Sequence, residues 1–157
     1  MAANKVTTVI LIRHADRTPD GTPDPPGPSL NDKGMARSRK LVHVLSKAGI
    51  QAIYTSQFTR SKMTAKPFSM KHSDLPLVRL DEAAKLKDHI LAHRVGQTVL
   101  VVGHSDTVPE LIKLLGGASL PIIDDCEFDN LFVLVRRSAT SSSVTKLKYG
   151  ELTSAPC

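Results

Sequence analysis

The sequence predicts an α/β fold, a three-layer α/β/α sandwich whose central sheet is mainly parallel and carries one or more antiparallel edge strands. Two runs of aliphatic and β-branched residues, 6–12 and 98–102, are typical of strands buried on both faces of a parallel sheet. Segments with helical spacing alternate with these runs, as a sheet covered on both faces requires. We expect residues 1–157 to form a single domain, because a chain of this length can bury a core of its own.

The composition is that of a globular protein in aqueous solution, and the net charge of +6 favours anionic partners. Nucleic acid is not an expected partner, because the basic residues are dispersed and aromatic residues are scarce. A membrane is not expected either, since no apolar run approaches the roughly 18 residues of a span. Cys126 and Cys157 match neither a disulfide framework nor a metal-ligand spacing, so we expect a reducing, cytoplasmic location.

The first half of the chain is predicted to alternate strands and helices around one long loop. After the first strand, residues 18–29 hold five of the ten prolines and form a surface loop, which is either a flap over a substrate or a simple connection. A helix then begins after Asn31, the candidate N-cap, and ends at Gly49. A short strand over residues 52–55 leads into a helix that ends near residue 70.

The second half continues the alternation and closes with antiparallel strands. Residues 75–80 predict an edge strand, because Pro76 cannot donate to a central ladder. The acidic segment 124–129 is expected to be a solvated loop. The other predicted elements are a helix over 81–94, the buried strand 98–102, a helix over 108–115, a strand over 131–135, a serine-rich turn over 138–143 and an antiparallel strand over 144–149.

Basic side chains follow three of the predicted strands. Arg13 and His14 end the first strand, Arg60 lies at the start of the helix after residues 52–55, and His104 follows the buried strand 98–102. In open α/β sheets, ligands bind just beyond the carboxyl ends of the strands. Guanidinium groups match phosphate oxygens bidentately, and a helix N-terminus also favours anions. The sequence therefore predicts a positive pocket that binds a phosphoryl group.

His14 is the candidate nucleophile of this pocket. A neutral imidazole can attack phosphorus and form a phosphohistidine, which splits one displacement into two easier steps. Arg13 and Arg60 disfavour protonation of His14, and a carbonyl that accepts from its other ring nitrogen would fix the tautomer. His104 is expected to donate to a non-bridging phosphoryl oxygen.

These residues, in this order, resemble the histidine phosphatase (phosphoglycerate mutase-like) superfamily. Its RHG/RHA motif appears as Arg13-His14-Ala15, its L-T-x-x-G segment as Leu30-Asn31-Asp32-Lys33-Gly34 with Asn for Thr, its S-x-x-x-R-x-x-x-T-A segment as Ser56, Arg60, Thr64 and Ala65, and its late Gly-His as Gly103-His104. The resemblance implies that Arg13, His14, Arg60 and His104 form the phosphate pocket and that His14 is phosphorylated during turnover. We expect no cofactor and no metal.

The sequence departs from the family at the general acid. Many members carry a Glu or Asp in an insertion after the second-arginine helix, and no such insertion is evident here. Four candidates remain, which are Asp81, Glu82, Asp106 and Asp16. Each also has a purely structural explanation, because the first two begin a helix, the third can cap a helix and the last can pair with Arg13 or Arg17.

The missing acid bears on the substrate. An alkyl phosphate needs protonation of its leaving group, typically worth about 10²–10⁴-fold, whereas a phosphohistidine or acyl phosphate needs less help. The short chain resembles the family branch that includes phosphohistidine phosphatases of the SixA type. We therefore expect a phosphatase that acts on a phosphoprotein or a small phosphorylated metabolite. The alternatives are a mutase-type phosphotransferase and a catalytically weak phospho-ligand binding module. The sequence does not predict the oligomeric state.

Overall fold

The computed structural model, which describes residues 5–153, contains one six-stranded mixed sheet. The strands are β1 (Thr7–Arg13), β2 (Ile50–Thr55), β3 (Leu77–Arg79), β4 (Thr98–Gly103), β5 (Asn130–Ser138) and β6 (Ser141–Lys148), and their order across the sheet is β3-β2-β4-β1-β5-β6. The first four strands of this order are parallel, whereas β5 is antiparallel to β1 and β6 is antiparallel to β5. The predicted mainly parallel sheet with antiparallel edge strands is confirmed.

Four helices cover the two faces of the sheet, namely α1 (Asp32–Val44), α2 (Thr59–Lys71), α3 (Ala83–His93) and α4 (Thr107–Leu114). Successive side chains of β1 point to opposite faces, as the pleat of a strand requires. Val9 and Leu11 join the core beneath α3 and α4, while Ile10 and Ile12 join the core beneath α1 and α2. This double burial explains why β1 reads as a continuous apolar run.

Several boundaries differ from the predicted ones by one to five residues, and two of these differences change where a turn lies. The first helix ends at Val44 rather than at Gly49, and Gly49 instead takes a positive φ of 70° in the turn before β2. The predicted serine-rich turn over 138–143 is wrong except at residues 139–140, because Ser138 ends β5 and residues 141–143 are already the first residues of β6. Pairing with β5 supplies their backbone hydrogen bonds, and such tertiary pairing overrides the turn preference of serine.

Other local predictions hold. Asn31 caps α1, because its side chain accepts from the backbone N–H of Gly34 at 2.9 Å. The strand predicted over 75–80 is shorter, but β3 does lie at an edge of the sheet. Cys126 is disulfide-bonded, so the expectation of a reducing location loses the cysteine argument on which it rested, and Cys157 lies outside the described residues. Within residues 5–153, no helix is long and apolar enough to cross a membrane.

Candidate active site

The carboxyl ends of β1 and β4 bring two histidines together. Arg13 is opposite Gly103 in the ladder, and the backbone N–H of His14 donates to the Gly103 carbonyl at 2.9 Å. His104 follows directly, so that the two imidazole centroids lie 5.3 Å apart. The sheet register therefore places His14 and His104 side by side, as the strand-end argument predicts.

His14 is buried, with 3% of its surface exposed, and its tautomer is fixed by the backbone. Nδ1 donates to the carbonyl oxygen of Ala15 at 2.8 Å, and because a carbonyl can only accept, the lone pair is left on Nε2. Burial lowers the pKa of His14 to about 2, and the charge of Arg13 contributes to the lowering although the Ala15 carbonyl opposes it. The ring is therefore neutral near neutral pH and has a lone pair to share.

Thr64 links His14 to the helix that carries Arg60. Its hydroxyl accepts from the backbone N–H of Ala15 at 2.9 Å and donates to the carbonyl oxygen of Arg60 at 2.8 Å. One side chain thus ties the end of β1 to the first turn of α2. This contact gives a physical reason for a threonine four residues after Arg60 in the motif.

Arg13 is held by the segment that the sequence analysis interpreted as a solvated acidic loop. Its Nη1 donates to the backbone carbonyls of Asp124, Asp125 and Glu127 at 2.9, 3.1 and 3.1 Å, and its guanidinium stacks 4.2 Å from the Phe128 ring. That interpretation is wrong, because the segment supplies carbonyl acceptors to a buried cation. These contacts fix the plane of the guanidinium.

Arg60 lies at the start of α2 and is paired with a carboxylate from the proline-rich loop. Its Nη1 donates to Asp24 Oδ1 at 2.9 Å and its Nη2 to Asp24 Oδ2 at 3.4 Å. The loop is attached to the helix by a 2.9 Å hydrogen bond from the Thr59 N–H to the Pro26 carbonyl. Residues 18–29 are therefore a flap against the site rather than a simple connection.

Gly27 makes room for this ion pair. Its φ is +73°, and a Cβ atom built there would overlap the Asp24 carboxylate and lie 2.6 Å from Arg60 Nη1. Only glycine combines that backbone conformation with an empty side-chain position. The absence of a side chain at Gly27 therefore lets the Asp24 carboxylate lie within hydrogen-bonding distance of Arg60.

His104 is held by polar and aromatic neighbours. Its Nε2 shares a 2.6 Å hydrogen bond with Ser56 Oγ, and the Phe58 ring lies edge-on at 5.1 Å between centroids. Burial lowers the pKa of His104 to about 4, and the positive charge of Arg60 adds to the lowering. Near neutral pH this ring is uncharged and can donate one hydrogen bond.

A cavity of about 590 Å³ opens onto the four predicted residues, Arg13, His14, Arg60 and His104. Two guanidinium groups and two imidazoles around one cavity can donate to the oxygens of a tetrahedral oxyanion.

Two of the four acid candidates line this cavity, Asp81 and Asp106. Asp81 accepts from the Gln57 N–H at 2.7 Å and from Arg79 Nε at 2.8 Å. Asp106 is the N-cap of α4 and accepts from the Thr107 N–H at 2.9 Å, as its structural explanation predicts.

The other two candidates do not line the cavity. Asp16 is buried and pairs with Arg37 at 2.7 Å, rather than with Arg13 or Arg17 as the sequence suggested. Glu82 is exposed and pairs with Lys85 at 2.6 Å. The sequence did not indicate Asp24 as a site residue, because its one signal was an acidic position in a loop interpreted as either a flap or a connection.

Comparisons with known proteins agree with this geometry. A family model described as "Histidine phosphatase superfamily (branch 1)" matches residues 9–87, half of the chain. No curated protein matches the sequence. The protein histidine phosphatase SixA complexed with tungstate shares 18% identity at a TM-score of 0.73, with 90% of this chain and 96% of that chain covered.

Two further structures have the same fold and different names. Phosphoglycerate mutase from Plasmodium falciparum shares 20% identity at a TM-score of 0.60, with 98% of this chain and 96% of that chain covered. A mycobacterial glucosyl-3-phosphoglycerate phosphatase shares 13% identity at a TM-score of 0.66, with 92% and 98% covered. At such identities the likeness shows the fold alone.

Proposed function

The chain belongs to the histidine phosphatase superfamily, and we propose that it is a metal-independent phosphatase that works through a phosphohistidine on His14. The observation that carries this proposal is the buried, neutral His14, whose Nδ1–H is held by a carbonyl while its Nε2 lone pair is left available. Arg13, Arg60 and His104 surround the same cavity. A nucleophile beside fixed cations is what phosphoryl transfer requires.

In the proposed reaction the phosphoryl group binds between the two guanidinium groups. His14 Nε2 attacks phosphorus, the bond from phosphorus to the leaving atom breaks, and that atom takes up a proton from the solvent. Water then attacks the phosphohistidine, the P–N bond breaks, and inorganic phosphate leaves while Nε2 regains its lone pair. His104 donates to a phosphoryl oxygen in both steps, where charge increases on the equatorial oxygens.

The state of the carboxylates favours substrates with good leaving groups. Asp81 accepts hydrogen bonds from Gln57 and Arg79, and Asp106 accepts a capping hydrogen bond from Thr107. Both carboxylates are thus already engaged as hydrogen-bond acceptors within the protein. We therefore propose a phosphohistidine-containing protein or an acyl phosphate as the substrate class, because these leaving groups need little protonation.

A substrate panel tests the proposal. In the presence of a chelator, we expect three substrates to be hydrolysed at least about 100-fold faster than sugar phosphates: a phosphohistidine protein, an acyl phosphate and an aryl phosphate. This factor is the lower end of the rate gain from general-acid catalysis, which the sugar phosphates need and would not receive here. Equal rates on alkyl phosphates would contradict the leaving-group argument. Transfer of phosphate to a second sugar phosphate instead of water would indicate a mutase, and binding without turnover would indicate a binding module.

Asp24 should compete with the substrate for Arg60. Its carboxylate accepts hydrogen bonds from the guanidinium group that would otherwise bind a phosphoryl oxygen. The hydrogen bond from Arg60 also holds the pKa of Asp24 below its usual value, so this carboxylate is charged. We expect Asp24→Asn to tighten the binding of inorganic phosphate by about fivefold, the value of a partly exposed ion pair. Isothermal titration calorimetry measures this affinity directly.

Asp20→Asn is the matched control. Asp20 belongs to the same loop and lines the same cavity, but its carboxylate accepts from Thr18 and Thr22 rather than from Arg60. Equal tightening in both variants would show a general effect of loop charge. Weaker phosphate binding in Asp24→Asn would show that the carboxylate assists the ligand.

A further inference from the structure

A second concave surface lies between α1 and α2, outside the candidate active site. We call it the methionine groove; it has a volume of about 550 Å³ and is lined by Met35, Arg39, Val42, Met63, Lys66, Pro67, Met70 and Lys71. On α1 the apolar members are Met35 and Val42, which are seven residues apart. On α2 they are Met63, Pro67 and Met70, at positions i, i+4 and i+7. Each helix thus presents one apolar stripe, and the two stripes meet in the groove.

The groove exposes side chains that normally lie inside a protein. Met70 has 60% of its surface exposed, and the buried core does not include Met35, Val42 or Met63. Methionine is flexible and polarisable, so it adapts to a partner of irregular shape. An exposed apolar concavity of this kind is typical of an interaction site.

The rim of the groove is strongly basic. Arg39, Lys66 and Lys71 are exposed, and none of them forms an ion pair with another residue in the range 5–153. Helix α2 carries four basic residues and no acidic one, and α1 carries four basic residues and one acidic residue. These two helices therefore carry a net charge of +7, which exceeds the +6 of the whole chain.

We propose that the methionine groove binds an amphipathic helix of an acidic partner protein. A helix presents apolar anchors at i, i+3 or i+4 and i+7, which match the two stripes, and flanking carboxylates would meet the three unpaired cations. A second copy of this chain is disfavoured there, because two basic rims would face each other. A bilayer is disfavoured because the surface is concave, whereas membrane-bound helices insert protruding apolar side chains.

The groove lies close to the candidate active site. Arg60 and Met63 are three residues apart on α2, which is about 5 Å along the helix axis, and Met70 is about 15 Å from Arg60 along the same axis. A partner in the groove would therefore lie beside the cavity. Binding itself does not depend on the proposed hydrolysis and can be measured on the resting protein.

The experiment uses a labelled synthetic peptide of about four helical turns, with leucine at the i, i+4 and i+7 positions and glutamate on the flanks. Fluorescence anisotropy should show saturable binding to the full chain and much weaker binding of a peptide with lysine in place of glutamate. The double variant Lys66→Glu/Lys71→Glu should weaken binding at least about tenfold, because it reverses two of the three positive charges on the rim. Met70→Ser should weaken it as well, since it removes an exposed apolar anchor.

Lys40→Glu/Lys62→Glu is the matched control, because it makes the same change in net charge at residues of α1 and α2 that do not line the groove. We expect it to weaken binding no more than about twofold. Equal losses in the two double variants, or equal binding of the acidic and basic peptides, would overturn the proposal. So would a concentration-dependent dimer in analytical ultracentrifugation, or binding to anionic vesicles without binding to the peptide. Hydrolysis of an aryl phosphate by each variant is measured separately, so that failure of the groove and failure of the active site are distinguishable.

Discussion

We expect His14→Ala to lower kcat/KM for an aryl phosphate by at least about 10⁴-fold, the scale seen when a covalent nucleophile is removed. The remaining cations can still bind the phosphoryl group, but no other described nitrogen is placed with a free lone pair beside both Arg13 and His104. An aryl phosphate is the right substrate because its leaving group tolerates a missing acid. The loss therefore measures nucleophilic attack rather than proton transfer.

Two further measurements make this result specific. His43→Ala is the matched control, because His43 is exposed on α1 and does not line the cavity. Inorganic phosphate should still bind to His14→Ala, which shows that the pocket is intact. Added imidazole should restore part of the activity by entering the space that the side chain leaves. Retention of more than about a tenth of the activity would place the nucleophile elsewhere.

The second large effect concerns stability and the buried pair between Asp16 and Arg37. The two side chains are 10% and 2% exposed, and Arg37 also donates to the Tyr149 carbonyl at 2.9 Å. We expect Asp16→Ala to lower the free energy of unfolding by about 3–5 kcal/mol, because it leaves the Arg37 charge buried without its partner. Urea denaturation measures the change.

Asp88→Ala is the control for this prediction. Asp88 pairs with Lys87 but is 72% exposed, so its removal should cost less than about 1 kcal/mol. A similar cost in both variants would contradict the account of Asp16 as half of a buried pair. Where Asp16→Ala remains folded, its rates on alkyl and aryl phosphates should fall by the same factor. A selective loss on alkyl phosphates would restore Asp16 as the general acid.

Gly34 shows how this pair is built into the fold. A Cβ atom at Gly34 would overlap the backbone carbonyl of Asp16, so α1 can approach the end of β1 only where glycine stands. That carbonyl in turn accepts from the Asn31 N–H at 3.0 Å. The glycine of the L-T-x-x-G segment is thus required by packing, three residues after the N-cap.

The fold class and the positions of Arg13, His14, Arg60 and His104 around one cavity could be predicted, because each depends on local sequence. Burial on both faces makes β1 and β4 continuous apolar runs, and the carboxyl ends of parallel strands meet at one edge. Any charged residue directly after such a run therefore falls at that edge. Arg13, His14 and His104 follow from this rule, and Arg60 follows from the helix that begins after β2.

Only the tertiary structure decided which group each charged side chain binds. Arg60 donates to Asp24, Arg13 donates to backbone carbonyls after residue 123, and Arg37 donates to Asp16. The partners in these contacts are 21 to 114 residues apart along the chain. Periodicity reports the face on which a residue lies, but it does not report the partner that packing brings to it. The sequence alone therefore determined the strands and the edge of the sheet at which the proposed phosphate pocket lies. Packing determined that Asp24 occupies Arg60 and that Asp16 is a structural carboxylate.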